Sequence, residues 1–279
     1  MFTQLAKYFE SVEQPPFDFI VVDEAQDVSV PQLRFLAALG AQAGVPKPNG
    51  LFFAGDLGQR IFQLPFSWKT LGVDVRGRSR TLTVNYRTSQ QIRAQADRLL
   101  DPEVADVDGN VETRKGTISV FNGPPPLTRT YADEAEEFAG VGVWLADACR
   151  SDIPAAELAV FVRSDAQLDR ARKAVAAAGL EFCVLDHYVR PQEARVSICT
   201  MHLAKGLEFR VVAVMACDDE VVPLQSRIED IADEADLQEV YNTERHLLYV
   251  ACTRARDRLL VTAVAPASEL LDDLKASRV

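Results

Sequence analysis

Phe19-Ile20-Val21-Val22-Asp23-Glu24-Ala25-Gln26-Asp27 decides the reading of the fold. Four apolar residues, rich in β-branched side chains, stop abruptly at two carboxylates. A continuous apolar run of this length predicts a strand buried on both faces, as in a parallel sheet. Residues 29–39 follow with helical spacing, Ser29 as N-cap and Pro31 in the first turn. Leu51-Phe52-Phe53-Ala54 is a second apolar run, closed by Gly55-Asp56, and Leu82-Thr83-Val84 a third, with a helix expected over 88–100. The second half alternates likewise. Strands are expected at 117–121, 158–163, 181–185, 195–200, 210–216 and 258–264, and helices at 131–149, 165–178 and 237–254. Alternation of this kind predicts an α/β fold with parallel sheets and helices on both faces. Turn formers crowd residues 101–116, so the domain boundary is expected there.

The bulk properties set bounds. The chain has 279 residues, 48% hydrophobic and 25% charged, which is ordinary globular composition. It has no run of apolar residues long enough for a membrane span, and its first residues lack the pattern of a signal peptide. Five cysteines without a CxxC pair speak against a disulfide framework or a zinc ribbon, and a reducing cytoplasm is expected. The net charge of −11 argues against nucleic-acid binding until its distribution is considered. Residues 218–244 hold ten acids and one Arg, whereas residues 76–98 hold six Arg and one Asp. Local fields matter more to a polyanion than the total does. The acidic block reads as a solvated face or loop.

Five motifs carry chemistry. Asp23-Glu24, at the tip of a buried strand, has the Walker B pattern: one carboxylate to hold Mg²⁺ and one to accept a proton from water. Gly55-Asp56-Leu57-Gly58-Gln59-Arg60-Ile61-Phe62 follows the next strand and offers a glutamine for orienting water and an aromatic face for a base. Asn85-Tyr86-Arg87-Thr88, Thr200-Met201-His202-Leu203-Ala204-Lys205-Gly206-Leu207-Glu208-Phe209 and Leu248-Tyr249-Val250-Ala251-Cys252-Thr253-Arg254-Ala255-Arg256 complete the set. Each alone could be a capped helix or a polar loop.

In this order, over residues 17–264, the set resembles the motifs of UvrD/Rep/PcrA-like superfamily 1 DNA helicases. The resemblance implies RecA-like architecture, with a partial first lobe over 1–112 and a complete second lobe over 113–279. It implies that Asp23 binds Mg²⁺, Glu24 activates water, Gln59 contacts the γ-phosphate of ATP, Arg87 and Arg254 reach that phosphate from the opposite side, and Glu208 accepts a hydrogen bond from the ribose. Those six residues are expected to line one cleft. Phe62, Thr200 and His202 are expected to touch single-stranded DNA in a separate groove.

The chain departs from the family in two places. The phosphate-cradling Gly-x-x-x-x-Gly-Lys-Ser/Thr loop requires a Gly-Lys pair, and the sequence has none. The stretch 186–194 is short where longer family members insert a helical subdomain. Trp68, beyond the third motif, reads equally as a stacking aromatic or as core. The implied function is the C-terminal part of an ATP-dependent DNA helicase or translocase, inactive alone. The P-loop would come from an N-terminal half or a partner chain. The alternatives are a non-catalytic nucleic-acid- or partner-binding module and one half of a split helicase.

Overall fold

A computed structural model describes all residues except 57, 58, 60–66, 74–76, 102, 106, 107, 110, 114, 115, 230, 232 and 276–279. The chain forms two compact units, one of residues 1–82 with 102–115, the other of 83–101 with 116–279. In chain order the elements of the first unit are α1 (Phe2–Glu10), β1 (Ile20–Val22), α2 (Val30–Leu39), the hairpin β2 (Ala41–Gln42) and β3 (Val45–Pro46), and β4 (Leu51–Phe53). Next come β5 (Val84–Asn85) and α3 (Gln90–Ala96) of the second unit, then a hairpin of the first, β6 (Glu103–Ala105) with β7 (Val111–Thr113). The rest of the second unit is β8 (Ile118–Ser119), β9 (Leu127–Tyr131), α4 (Glu134–Arg150), β10 (Leu158–Val162), α5 (Leu168–Ala177), β11 (Phe182–Val184), β12 (Val196–Thr200), β13 (Phe209–Val214), α6 (Gln225–Ile228), α7 (Glu234–Thr253), β14 (Ala255–Val264) and α8 (Leu270–Lys275).

In the first unit β1 and β4 pair in parallel, with Ile20 opposite Leu51 and Val22 opposite Phe53. The capping of α2 is as the sequence predicts: the Ser29 N–H donates to Gln32 Oε1 at 2.8 Å, with Pro31 in the first turn. Trp68 packs edge-on against Phe53, ring centroids 5.0 Å apart, which makes it a packing residue of this unit.

The second unit is built on a six-stranded sheet, order β11-β12-β10-β13-β14-β9, with every pairing parallel. This is the α/β class with a parallel sheet that the alternation predicts. All five residues of β10 are buried, as a central strand covered on both faces requires. One core lies between β10, β12, β13 and the helices α4 and α5, built on Leu145, Leu158, Val160, Val175 and Ile198. Burial raises the thiols of Cys199 and Cys252 to about 12, so both are core hydrophobes rather than nucleophiles.

Three features differ from expectation. β1, expected to be buried on both faces, pairs with β4 alone among the described residues and leaves Val21 61% exposed. The edge strand β9 falls at Leu127-Thr128-Arg129-Thr130-Tyr131, where no strand is predicted, and takes the first residue assigned to the following helix. It pairs on one side only, with β14, and its exposed positions include Arg129 and Thr130. Residues 83–101, ahead of the boundary drawn at 112, pack within the second unit. There β5 pairs with β8, and the Ser89 N–H donates to the Arg256 carbonyl at 3.0 Å.

Candidate nucleotide and nucleic-acid site residues

In the first unit the parallel register sets the ends of β1 and β4 on one edge. Ala54 N–H donates to Val22 O and Ala25 N–H to Ala54 O, so the pairing runs on into the Asp23-Glu24 turn. Glu24 sits in the left-handed region, φ 51° and ψ 43°. That conformation is costly for a residue with a Cβ and persists where neighbours determine it. Gln26, which no motif reading singled out, supplies that determination. Its Nε2 donates to Glu24 Oε2 at 2.5 Å, and its Oε1 accepts from the Asp56 N–H at 3.0 Å. Gln59 Nε2 in turn donates to Asp56 Oδ2 at 2.9 Å. A Cβ on Gly55 would stand 2.4 Å from Gln26 Oε1, so glycine is required for this approach. Glu24 and Gln59 are therefore the two ends of one hydrogen-bonded chain. Asp23 is exposed, and its Oδ1 accepts from the Glu24 N–H at 2.9 Å. Phe62 lies outside the described residues.

In the second unit Asn85 shapes the turn that carries Arg87. Its Oδ1 accepts from the Arg87 and Thr88 N–H groups at 2.7 and 3.2 Å. Arg87 Nε donates to Glu208 Oε2 at 3.1 Å, both side chains being 46% exposed. An ion pair so wet contributes only about 0–1 kcal/mol, so Arg87 can exchange its partner for a phosphate at little cost. Arg254 caps α7 and is 1% exposed. Its Nε donates to the Val250 carbonyl at 3.1 Å, and its Nη1 reaches the Leu207 carbonyl at 3.5 Å. Arg87, Glu208 and Arg254 thus gather around the segment just before β13, with Arg254 buried beneath it rather than presented to solvent.

Thr200 and His202 are elsewhere. Thr200 ends β12, opposite Val162 of β10, at the C-terminal edge of the sheet. His202 lies in the short 3₁₀ turn Met201–Ala204 that follows. Residues 201–208 then cross to the N-terminal edge, where β13 and β14 begin and the Phe209 N–H donates to the Arg254 carbonyl at 3.0 Å. The turn at Gly206 needs φ +78°, which glycine adopts freely. Residues 201–208 therefore lead from Thr200 at one sheet edge to Glu208 at the other.

Two buried clusters escaped the sequence reading. Arg163, just beyond β10, makes a bidentate pair with Glu244 of α7: Nε to Oε2 and Nη2 to Oε1, both 2.6 Å. Arg227 also reaches Glu244 Oε1, at 3.2 Å. On the far side of the sheet Arg170 donates to Glu137 at 2.5 Å and to both oxygens of Asp218. Burial works to lower the Arg170 pKa, but Asp218 and Glu137 hold it above its usual value. Asp218 and Glu244 both belong to the acidic block read as solvated, yet Glu244 is fully buried and Asp218 is an ion-pair anion. No local signal marks them, because the buried arginines that pair with them, Arg170 and Arg163, lie 48 and 81 positions away.

Burial, and next the charge of Arg163, hold the His202 imidazole below its usual pKa, with Glu244 opposing and Arg227 adding to the effect. A depressed histidine is protonated first in the unfolded chain. Stability is therefore complete above the ordinary imidazole value of about 6.5, and falls as pH drops through that value toward the folded one. Urea unfolding of wild type and His202→Gln at pH 7.5 and 5.5 is expected to show the larger acid loss in wild type. Equal losses would contradict this assignment.

Among the described residues, no group of three or more His, Cys, Asp or Glu side chains could hold a metal by itself, and no helix is long and apolar enough to cross a membrane. Mg²⁺ commonly takes one or two carboxylates, with phosphate oxygens and waters completing the shell. Asp23 is an exposed hard-oxygen donor of that type, and Arg87 is an accessible guanidinium suited to phosphate.

Residues 188–265 match the family model of the UvrD-like helicase C-terminal domain. The chain is 25% identical over 261 residues to a "Probable DNA helicase" of Mycoplasma pneumoniae, covering 88% of this chain and 44% of that protein. It is 40% identical over 70 residues to the ATP-dependent DNA helicase PcrA of Staphylococcus aureus, 25% of this chain and 9% of the relative. It is 35% identical over 77 residues to the ATP-dependent DNA helicase Rep of Buchnera aphidicola, 28% and 11%. The crystal structure of the C-terminal domain of a possible DNA helicase from Lactobacillus plantarum aligns with a TM-score of 0.47 and 24% identity, over 68% of this chain and 93% of that one. The chain thus spans less than half the length of these curated relatives. The span similar to the UvrD-like helicase C-terminal domain holds Thr200, His202, Glu208 and Arg254.

Proposed function

We propose that this chain is the C-terminal part of an ATP-dependent DNA helicase or translocase, which couples ATP hydrolysis to movement on single-stranded DNA. The observation that carries the reading is the gathering of Arg87, Glu208 and Arg254 at one sheet edge, with Thr200 and His202 at the other. In this reading residues 1–112 are a partial first lobe and 113–279 the second. Asp23 holds Mg²⁺, which supplies charge neutralisation on the phosphates. Glu24 takes the proton of the attacking water, held in place by Gln26. Gln59 senses the γ-phosphate and passes its state to Glu24 through Asp56 and Gln26. Arg87 leaves Glu208 for the γ-phosphate, which frees Glu208 to accept from the ribose. Arg254 supports the Leu207–Glu208 backbone and adds positive charge nearby. Phe62, Thr200 and His202 contact the DNA strand.

The missing phosphate cradle comes from a P-loop-bearing N-terminal portion or a partner chain. Without it the chain alone turns over no ATP, because phosphoryl transfer depends on positioning plus electrostatics. The burial of Arg254 favours a second reading, a helicase-derived module that binds nucleic acid without ATP chemistry. The two readings part at Arg87, which only the first needs for turnover.

Both readings predict binding of an oligo(dT) strand that weakens with salt. The slope of log K on log[salt] is expected to be about −0.7 per phosphate neutralised. His202→Ala should lower the affinity. Anisotropy titrations at several salt concentrations check this, and salt-insensitive binding would contradict it.

A further inference from the structure

We propose that Arg163 and Glu244 are positioning residues for His202, a fixed pair that holds helix α7 against the end of β10 beside the turn after β12 and so ties the DNA-facing edge of the sheet to the helix that ends at Arg254. The proposal rests on the DNA-contact reading of His202.

The geometry carries it. Val162 and Thr200 are paired residues of adjacent parallel strands, so Arg163 and the Met201–Ala204 turn leave the sheet side by side. Arg163 is 3% exposed and spends two donors on one carboxylate, which fixes the orientation of the guanidinium. That carboxylate belongs to Glu244, midway along α7, and α7 ends at Arg254. Two continuous segments therefore join the edges, α7 and residues 201–208, and the Arg163–Glu244 pair fixes the first of them to the end of β10, directly beside the start of the second. A buried pair of this kind contributes little net stability compared with apolar residues of the same volume. Its physical use here is to fix a position. Three charged groups are identified facing His202: Arg163 from β10, Glu244 from α7 and Arg227 from α6. Two guanidiniums against one carboxylate favour a neutral imidazole, so His202 meets a phosphate as a hydrogen-bond donor.

The test has one arm without DNA and one with it. The chain has only three histidines, which makes ring-resonance assignment tractable. In Glu244→Gln, the carboxylate that favours protonation is lost while both arginines remain, so His202 is expected to titrate lower than in wild type. In Arg163→Met it is expected to titrate higher. General loosening would instead move His202 toward its ordinary value in both variants. A higher or unchanged titration in Glu244→Gln would overturn the proposal, and that variant decides alone if Arg163→Met does not fold. With an oligo(dT) probe, Glu244→Gln and His202→Ala are each expected to weaken binding roughly 5–10-fold. The double variant should be within about twofold of His202→Ala alone, because both remove one interaction. Additive losses would also overturn the proposal. Absence of oligo(dT) binding by wild type would overturn the DNA reading instead, with the positioning of His202 still decided by its titration.

Discussion

Replacing Glu137 with alanine is expected to destabilise the second unit by about 3–5 kcal/mol, the range seen when one partner of a buried ion pair is removed. Glu137 is fully buried on α4 and satisfies three donors. It accepts from Arg170 Nε at 2.5 Å, Thr262 Oγ1 at 2.6 Å and the Ala216 N–H at 3.0 Å. Alanine leaves all three without that acceptor and leaves a guanidinium in the interior with only Asp218 and the more distant Glu134 near it. At roughly 2–4 °C per kcal/mol for a domain of this size, the melting temperature should fall by about 6–20 °C. Thermal unfolding followed by circular dichroism checks the value. A loss below about 1 kcal/mol would mean that Glu137 is not needed to satisfy these three donors in the interior.

Replacing Arg87 with alanine is expected to have the largest effect on turnover and almost none on folding. Its only described ion pair is the half-exposed one with Glu208, worth about 0–1 kcal/mol. Under the proposed function its guanidinium neutralises charge on the transferring phosphoryl group, a role worth roughly 10³–10⁵ in rate. In a protein joined to a P-loop-bearing N-terminal portion, Arg87→Ala should cut DNA-stimulated ATP turnover by about 10³ or more, with an unchanged melting temperature. Arg87→Lys should recover only part of that rate, because a point charge lacks the planar fork of arginine. Arg254→Ala is a poorer probe, since its burial against the Leu207 carbonyl confounds catalysis with stability.

Legibility in the sequence followed burial. The apolar runs at 158–162 and 209–214 announced central strands because a parallel strand covered on both faces has no room for polar alternation. Leu127–Tyr131 was illegible for the opposite reason: an edge strand pairs on one side and tolerates Thr, Arg and Thr in its middle. The motif residues were legible only as an ordered set, since a polar group at an element end, such as Arg87 or His202, could by itself be a cap or a loop residue. Their spatial arrangement was not legible. That Thr200 and Glu208 lie on opposite sheet edges follows from β12 and β13 both running parallel to β10. The buried acids were the least legible, because Glu137 and Glu244 lie on helices whose charged neighbours are solvated. Only the fold brings Arg170 and Arg163 to them.

Steady-state ATP hydrolysis with saturating oligo(dT) tests the central claim most directly, measured on the chain alone and on the chain supplemented with a P-loop-bearing N-terminal helicase fragment. The account predicts no DNA-stimulated turnover by the chain alone. On supplementation it predicts turnover within the ordinary enzyme range of about 1–10³ s⁻¹, abolished by Glu24→Gln. Turnover in that range by the unsupplemented chain, lost in Glu24→Gln, would contradict it.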